Sequence, residues 1–257
     1  MVHEFEVEIA GISLLESTNK NCIDLGTDVA RDLLARKNVK PEEIAVLICV
    51  TLSAVYLMPS SSFLIHKNLG LSQECFQYDC YQGGDGFLGG IQLASSLLKG
   101  FDTDRRALIV FGDDELCVNE DEIKSVAVAM LLECSSREKI VIQNAVYSEE
   151  CAKYVQEERK AKRTISDQYV ETAKKNLNKQ LQTMREYIIE NQICVESQIT
   201  YGQVEDNSPL FLQDSAVWLP YILLKKRMSG NILLGAVGSG MTVNIGIGQF
   251  ATVEDFT

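Results

Sequence analysis

Two short runs limit what this chain can fold into: AVLICV at 45–50 and ALIVF at 107–111, apolar at every position. Side chains along a strand point alternately to opposite faces, so such strands must be covered on both sides. Helix-length segments stand around them. Residues 4–13 (EFEVEIAGIS) alternate like a strand, and 22–37 (CIDLGTDVARDLLARK) carry apolar residues at helical spacing, with Asn21 as a cap. Pro41 and two glutamates then lead into the first apolar run. A second helix is predicted over 59–69, with Pro59 at its start and Gly70 at its end. CFQYDC (75–80) reads as a strand, a glycine loop follows, and FLGGIQLASSLLKG (87–100) reads as a helix closed by Gly100, ahead of the strand RALIVFG at 106–112.

Farther on, EIKSVAVAMLLE fits helix or strand by periodicity, and KIVIQNAVY fits a strand. Residues 150–192 are charged, lack Gly and Pro, and suit one or two long helices, most clearly over 165–190. The final stretch, GNILLGAVGSGMTVNIGIGQF, is two strand-like runs joined by small residues. Buried strands alternating with helices imply an α/β layered fold.

Composition narrows the function. A chain of 257 residues with 46% hydrophobic and 23% charged residues can bury a sizeable core. Its net charge is −12, and its one short basic run is ERKAKR at 158–163, so no nucleic acid and no anionic membrane is expected as a partner. No window approaches a spanning length, and MVHEFEVEIAG alternates acidic and apolar residues without a basic leader, so a cytoplasmic protein is expected. Eight cysteines contain no CxxC pair, and His3 and His66 are the only histidines. Neither a zinc site nor a disulfide framework is expected, and no cofactor.

The order of these pieces resembles the β-ketoacyl synthase III branch of the thiolase superfamily. EEIAVLICVT followed by PSSSFLIHKNLG is similar to that family's strand, loop and PS-helix. FQYD, the glycine loop, a helix and RALIVFGDDE are similar to its nucleophile region and the strand behind it. The closing LLGAVGSGMTVNIGIGQF is similar to its terminal hairpin, with Gly238, Ser239 and Gly240 as the glycine loop. The resemblance implies a thiolase-like five-layered αβαβα fold, truncated, with two pseudo-repeated halves at 1–148 and 149–257, the second shortened, packed as one compact unit.

Catalytic members use a Cys at a helix start, a His and an Asn. The thiolate attacks, the helix amino terminus favours negative charge, and the paired donors hold the enolate. Registering from Phe76 places Gln82 at the nucleophile position, whereas registering back from the helix places Gly84 there. Cys80 is the alternative nucleophile, through a similarity to hydroxymethylglutaryl-CoA synthases, whose loop also reads Cys-Tyr before glycines. At the His-Gln pair stand Gly202 and Gln203, and in QDSAVWLP Gln213 stands where Asn would be. On this reading no residue is catalytic. His66, on the PS-helix, has an ordinary surface or packing role, and Asp113 and Asp114 form a solvated loop.

The resemblance therefore implies a non-catalytic synthase-like subunit, similar to chain-length factors. It would heterodimerise with a catalytic ketosynthase homologue in fatty-acid or polyketide-type biosynthesis, and would meet acyl carrier protein only through that partner. The alternatives are an acyltransferase or condensing enzyme using Cys80 as acyl acceptor, and a homodimeric acyl-binding scaffold.

Overall fold

The computed structural model describes residues 2–54, 58–119, 122–147, 167–201, 215–238 and 241–250. The chain runs through β1 (Val2–Phe5), β2 (Val7–Ser17), α1 (Cys22–Arg36), β3 (Ile44–Val50), α2 (Ser61–Leu69), β4 (Phe76–Cys80) and α3 (Gly86–Leu98). It continues through β5 (Arg106–Asn119), β6 (Glu122–Cys134), β7 (Ile140–Val146), α4 (Asp167–Glu190), β8 (Ser197–Thr200), α5 (Trp218–Lys225), β9 (Gly230–Val237) and β10 (Thr242–Phe250).

Local chemistry sets the early elements. The Asn21 side chain accepts from the backbone N–H groups of Ile23 and Asp24 and starts α1. Ser60 caps α2 one residue after Pro59, and Gly70 ends it in the left-handed region at φ 66°. Every residue of β3 is buried, at roughly 1.5–3 kcal/mol for each large apolar side chain.

Two five-stranded sheets result. One has the order β2-β6-β5-β3-β4, with β3 parallel to both its neighbours; the other has the order β1-β7-β10-β9-β8. Helix α1 packs on the first sheet against β5 and β6, and α3 packs on β3 and β5 while also touching β10 of the second sheet. Helix α4 packs on β7, β9 and β10, completing helix, sheet, helix, sheet, helix. This is the thiolase-like five-layered arrangement. Two glycines let the central helix sit this close: a Cβ at Gly86 would lie 2.8 Å from Val50 Cγ1, and one at Gly246 would lie 2.6 Å from Leu88 Cδ2.

Two expectations change in detail. The alternating segment at 4–13 is two strands: the chain breaks at Glu6, so that β1 joins β7 in one sheet and β2 joins β6 in the other. The ambiguous segment is strand β6, whose residues Val126 to Leu132 are all fully buried in the sheet interior; a segment apolar on both faces has no period to read. One sheet takes strands from both sides of residue 148: β1 pairs with β7, and β7 pairs with β10.

Candidate active site

Cys80 is the last residue of β4, and a five-residue loop, 81–85, separates it from α3. Its carbonyl oxygen accepts from the backbone N–H of Thr51 at 3.1 Å, which fixes the strand end. The side chain is half-buried and lines an open cavity of about 500 Å³ together with Tyr81, Gln82, Gln92, Asn144 and Asn244. Burial, with the neighbouring Asp79 carboxylate, pushes the Cys80 thiol above the ordinary thiol value. Asp79 is itself committed to α2, accepting from the backbone N–H groups of Ser61 and Ser62 at 2.8 and 2.7 Å.

Gln82 sits in the loop, its side-chain oxygen where a Cβ of Gly89 would be, so it lies along the flank of the central helix. Gly84 is buried in the same loop. The residue immediately before the first turn of α3 is Asp85, which pattern reasoning missed. It is 3% exposed, and burial pushes its carboxyl up to about 6. Its carboxylate fills the space beside Gly238, the first residue of the predicted glycine loop. The Tyr169 hydroxyl donates to the carbonyl of Gly238 at 3.0 Å.

Behind the cavity, Asn144 of β7 faces Asn244 of β10 in register, and Asn144 Nδ2 donates to Asn244 Oδ1 at 2.5 Å. Asn244 is fully buried, and its Nδ2 donates to the carbonyl of Asp85 at 3.3 Å and to Asp85 Oδ2 at 3.5 Å. The signal available beforehand was an asparagine within each of two mainly apolar strand-like runs, IVIQNAV and TVNIGIGQF.

Asp113 corrects an expectation. It is not in a solvated loop but inside β5, 2% exposed. Its Oδ1 accepts from Thr51 Oγ1 (3.2 Å), Leu52 N (2.7 Å) and Ser53 Oγ (3.3 Å), and its Oδ2 accepts from Ser215 Oγ (2.8 Å) and Ala216 N (2.9 Å). It joins the end of β3 to the start of α5. Burial pushes its carboxyl up, and these donors pull it back. The partner carboxylate, Asp114, accepts from the backbone N–H of Cys22 at 2.6 Å. His66 Nε2 lies 2.9 Å from the carbonyl oxygen of Ser72. Gly202, Gln203 and Gln213 lie outside the described residues. Among the described residues no cluster of His, Cys, Asp and Glu could hold a metal ion, and no helix is long and apolar enough to cross a membrane.

No family model matches the chain. Over 152 residues it is 26% identical to an acyl-CoA:acyl-CoA alkyltransferase of Xanthomonas campestris, covering 53% of this chain and 45% of that protein. Over 112 residues it is 30% identical to a β-ketoacyl-[acyl-carrier-protein] synthase III of Clostridium tetani, covering 37% of this chain and 33% of that one. These matches span less than half the length of either relative. Among solved structures, OleA of X. campestris superposes with a TM-score of 0.70 at 16% identity, over 96% of this chain and 98% of that one. The synthase III FabH of Xanthomonas oryzae superposes with a TM-score of 0.71 at 15% identity, over 96% and 100%. The chain has the thiolase fold of these structures, and part of its sequence is similar to the alkyltransferase and to synthase III. The relatives named above are catalysts of acyl chemistry, and none of them is described as a silent partner; its degeneracy has no support among them.

Proposed function

We propose that this chain acts on acyl thioesters as an acyltransferase or condensing enzyme of the synthase III type, with Cys80 accepting the acyl group. One observation carries the reading: Cys80 stands at the end of β4 on the wall of a cavity beside the central helix, among the carboxamides of Gln82, Gln92, Asn144 and Asn244. No other described cysteine lines that cavity. The thiolate is the nucleophile, so the raised Cys80 thiol makes acylation slow at neutral pH and dependent on a base.

That same property favours a second reading, in which the chain assists a catalytic homologue without reacting. No histidine follows His66 in the sequence, and among the described residues β4 is an open sheet edge bearing Phe76 and Tyr78, 51% and 43% exposed, with Tyr81, 63% exposed, in the loop just beyond it. An unpaired edge with exposed aromatic side chains is suited to pairing with another chain.

Intact-mass measurement after incubation with an acyl-CoA separates the two. The acyltransferase reading expects an acyl adduct on the native chain that is lost in Cys80→Ala. No adduct on the native chain, together with co-purification of an active synthase, would establish the second.

A further inference from the structure

The buried polar line from Asp85 to the cavity wall links the start of α3 to β10 and β7. Asn244 stands between Val243 and Ile245 in β10 with no solvent exposure, where burying a carboxamide is costly unless both of its ends are bonded. Both are: its oxygen accepts from Asn144 and its nitrogen donates to the Asp85 backbone and carboxylate. Asn144 is thereby held with its amide nitrogen directed at Asn244, and its side chain makes no other hydrogen bond among the described residues. Asn144 itself lines the cavity that Cys80 also lines.

We infer that Asn144, positioned by Asn244 and Asp85, donates a hydrogen bond to the carbonyl oxygen of an acyl group on Cys80. This assignment rests on the reading of Cys80 given above. In the step concerned, the Cys80 thiolate forms a bond to the thioester carbon, and the carbonyl π pair moves onto oxygen, where the Asn144 N–H stabilises the developing charge. Collapse returns that pair to the carbonyl and breaks the bond to the departing thiolate, which takes up the proton that Cys80 released to solvent. Asn144 is then a catalytic residue, and Asn244 and Asp85 are positioning residues. The chain of donors ends on a carboxylate, which polarises each amide toward the next.

Two measurements test this. With butyryl-CoA as acyl donor, Asn144→Ala is expected to acylate roughly a hundredfold more slowly, the low end of what losing one oxyanion donor costs. Alkylation of the same thiol by iodoacetamide, which needs no oxyanion donor, should change less than about twofold, showing that the fold and the thiol are intact. Asn144→Asp, which keeps the shape and removes the donor, should behave as Asn144→Ala; acylation at the native rate in either variant overturns the inference.

The second measurement does not need enzymatic acylation. Cys80 is alkylated with ¹³C-carbonyl bromoacetone in a background with Cys117, Cys134, Cys151 and Cys194 changed to serine. The ketone stretch is expected at lower frequency with Asn144 present than in Asn144→Ala, and equal frequencies overturn the inference. If butyryl-CoA leaves the native chain unmodified, the acyl-acceptor reading of Cys80 fails, and the carbonyl band alone decides whether Asn144 is a donor at this wall.

Discussion

Asp85→Asn should make the fold less sensitive to rising pH. The carboxyl is 3% exposed, so solvent screens it little, and burial moves it from the ordinary 3.8 to about 6. Since its folded value lies above its unfolded one, the protonated form favours folding: that contribution is complete below about pH 4 and is lost as pH rises through about 6. At about 1.4 kcal/mol per pH unit, the full loss is about 3 kcal/mol, of which roughly 2–3 kcal/mol falls between pH 4 and pH 8. Asparagine keeps the shape and an acceptor oxygen for Asn244, and it never ionises. Urea denaturation of both proteins at pH 4 and pH 8 measures the effect, and the comparison cancels every carboxylate the two share. The variant should gain about 2–3 kcal/mol on the native protein between the two pH values. A stability gap that stays the same within about 0.5 kcal/mol would refute the reasoning, because ionising a carboxyl this buried cannot be free of cost.

Asp113→Ala should destabilise by roughly 4 kcal/mol, since it leaves the backbone N–H groups of Leu52 and Ala216 without an acceptor at about 1–3 kcal/mol each. Chemical denaturation checks this, and a loss under about 1 kcal/mol would mean that the two segments it joins find other partners. The rate of Cys80 alkylation should climb about tenfold per pH unit and keep rising past pH 8, because its thiol lies above the ordinary value. Peptide mass spectrometry reads the rate, and a plateau below pH 8 would show an activated thiol instead.

Much of the fold was readable because the determining interactions are local. Asn21 at the start of α1, Ser60 and Gly70 around α2, and the apolar run of β3 each act within a few residues. What was not readable depends on partners far along the chain. Asp113 follows a strand-like run in GDDE and looks like a solvated turn, but it is buried because Ser215 and Ala216 arrive from about a hundred residues away. Asn144 and Asn244 were visible as polar residues in apolar strands, yet their pairing exists only once β7 and β10 are neighbours.

The nucleophile position shows the same limit and also constrains the chemistry. Registers taken from β4 and from α3 point to Gln82 and Gly84 because the 81–85 loop sets the spacing, and neither end determines its length. In space, the place at the start of the central helix belongs to Asp85. A thiolate there would be favoured by the positive end of the helix. Cys80 is instead at a strand end, where burial and then the charge of Asp79 raise its thiol. Under the proposed acyl-acceptor role of Cys80, the driving force for acylation comes after attack, from donors to the oxyanion, and not from a preformed thiolate. If Asn144→Ala acylates as fast as the native chain while Cys80 alkylation still rises past pH 8, neither source is present. The chain's contribution would then lie in the edge strand β4 that it offers to another subunit.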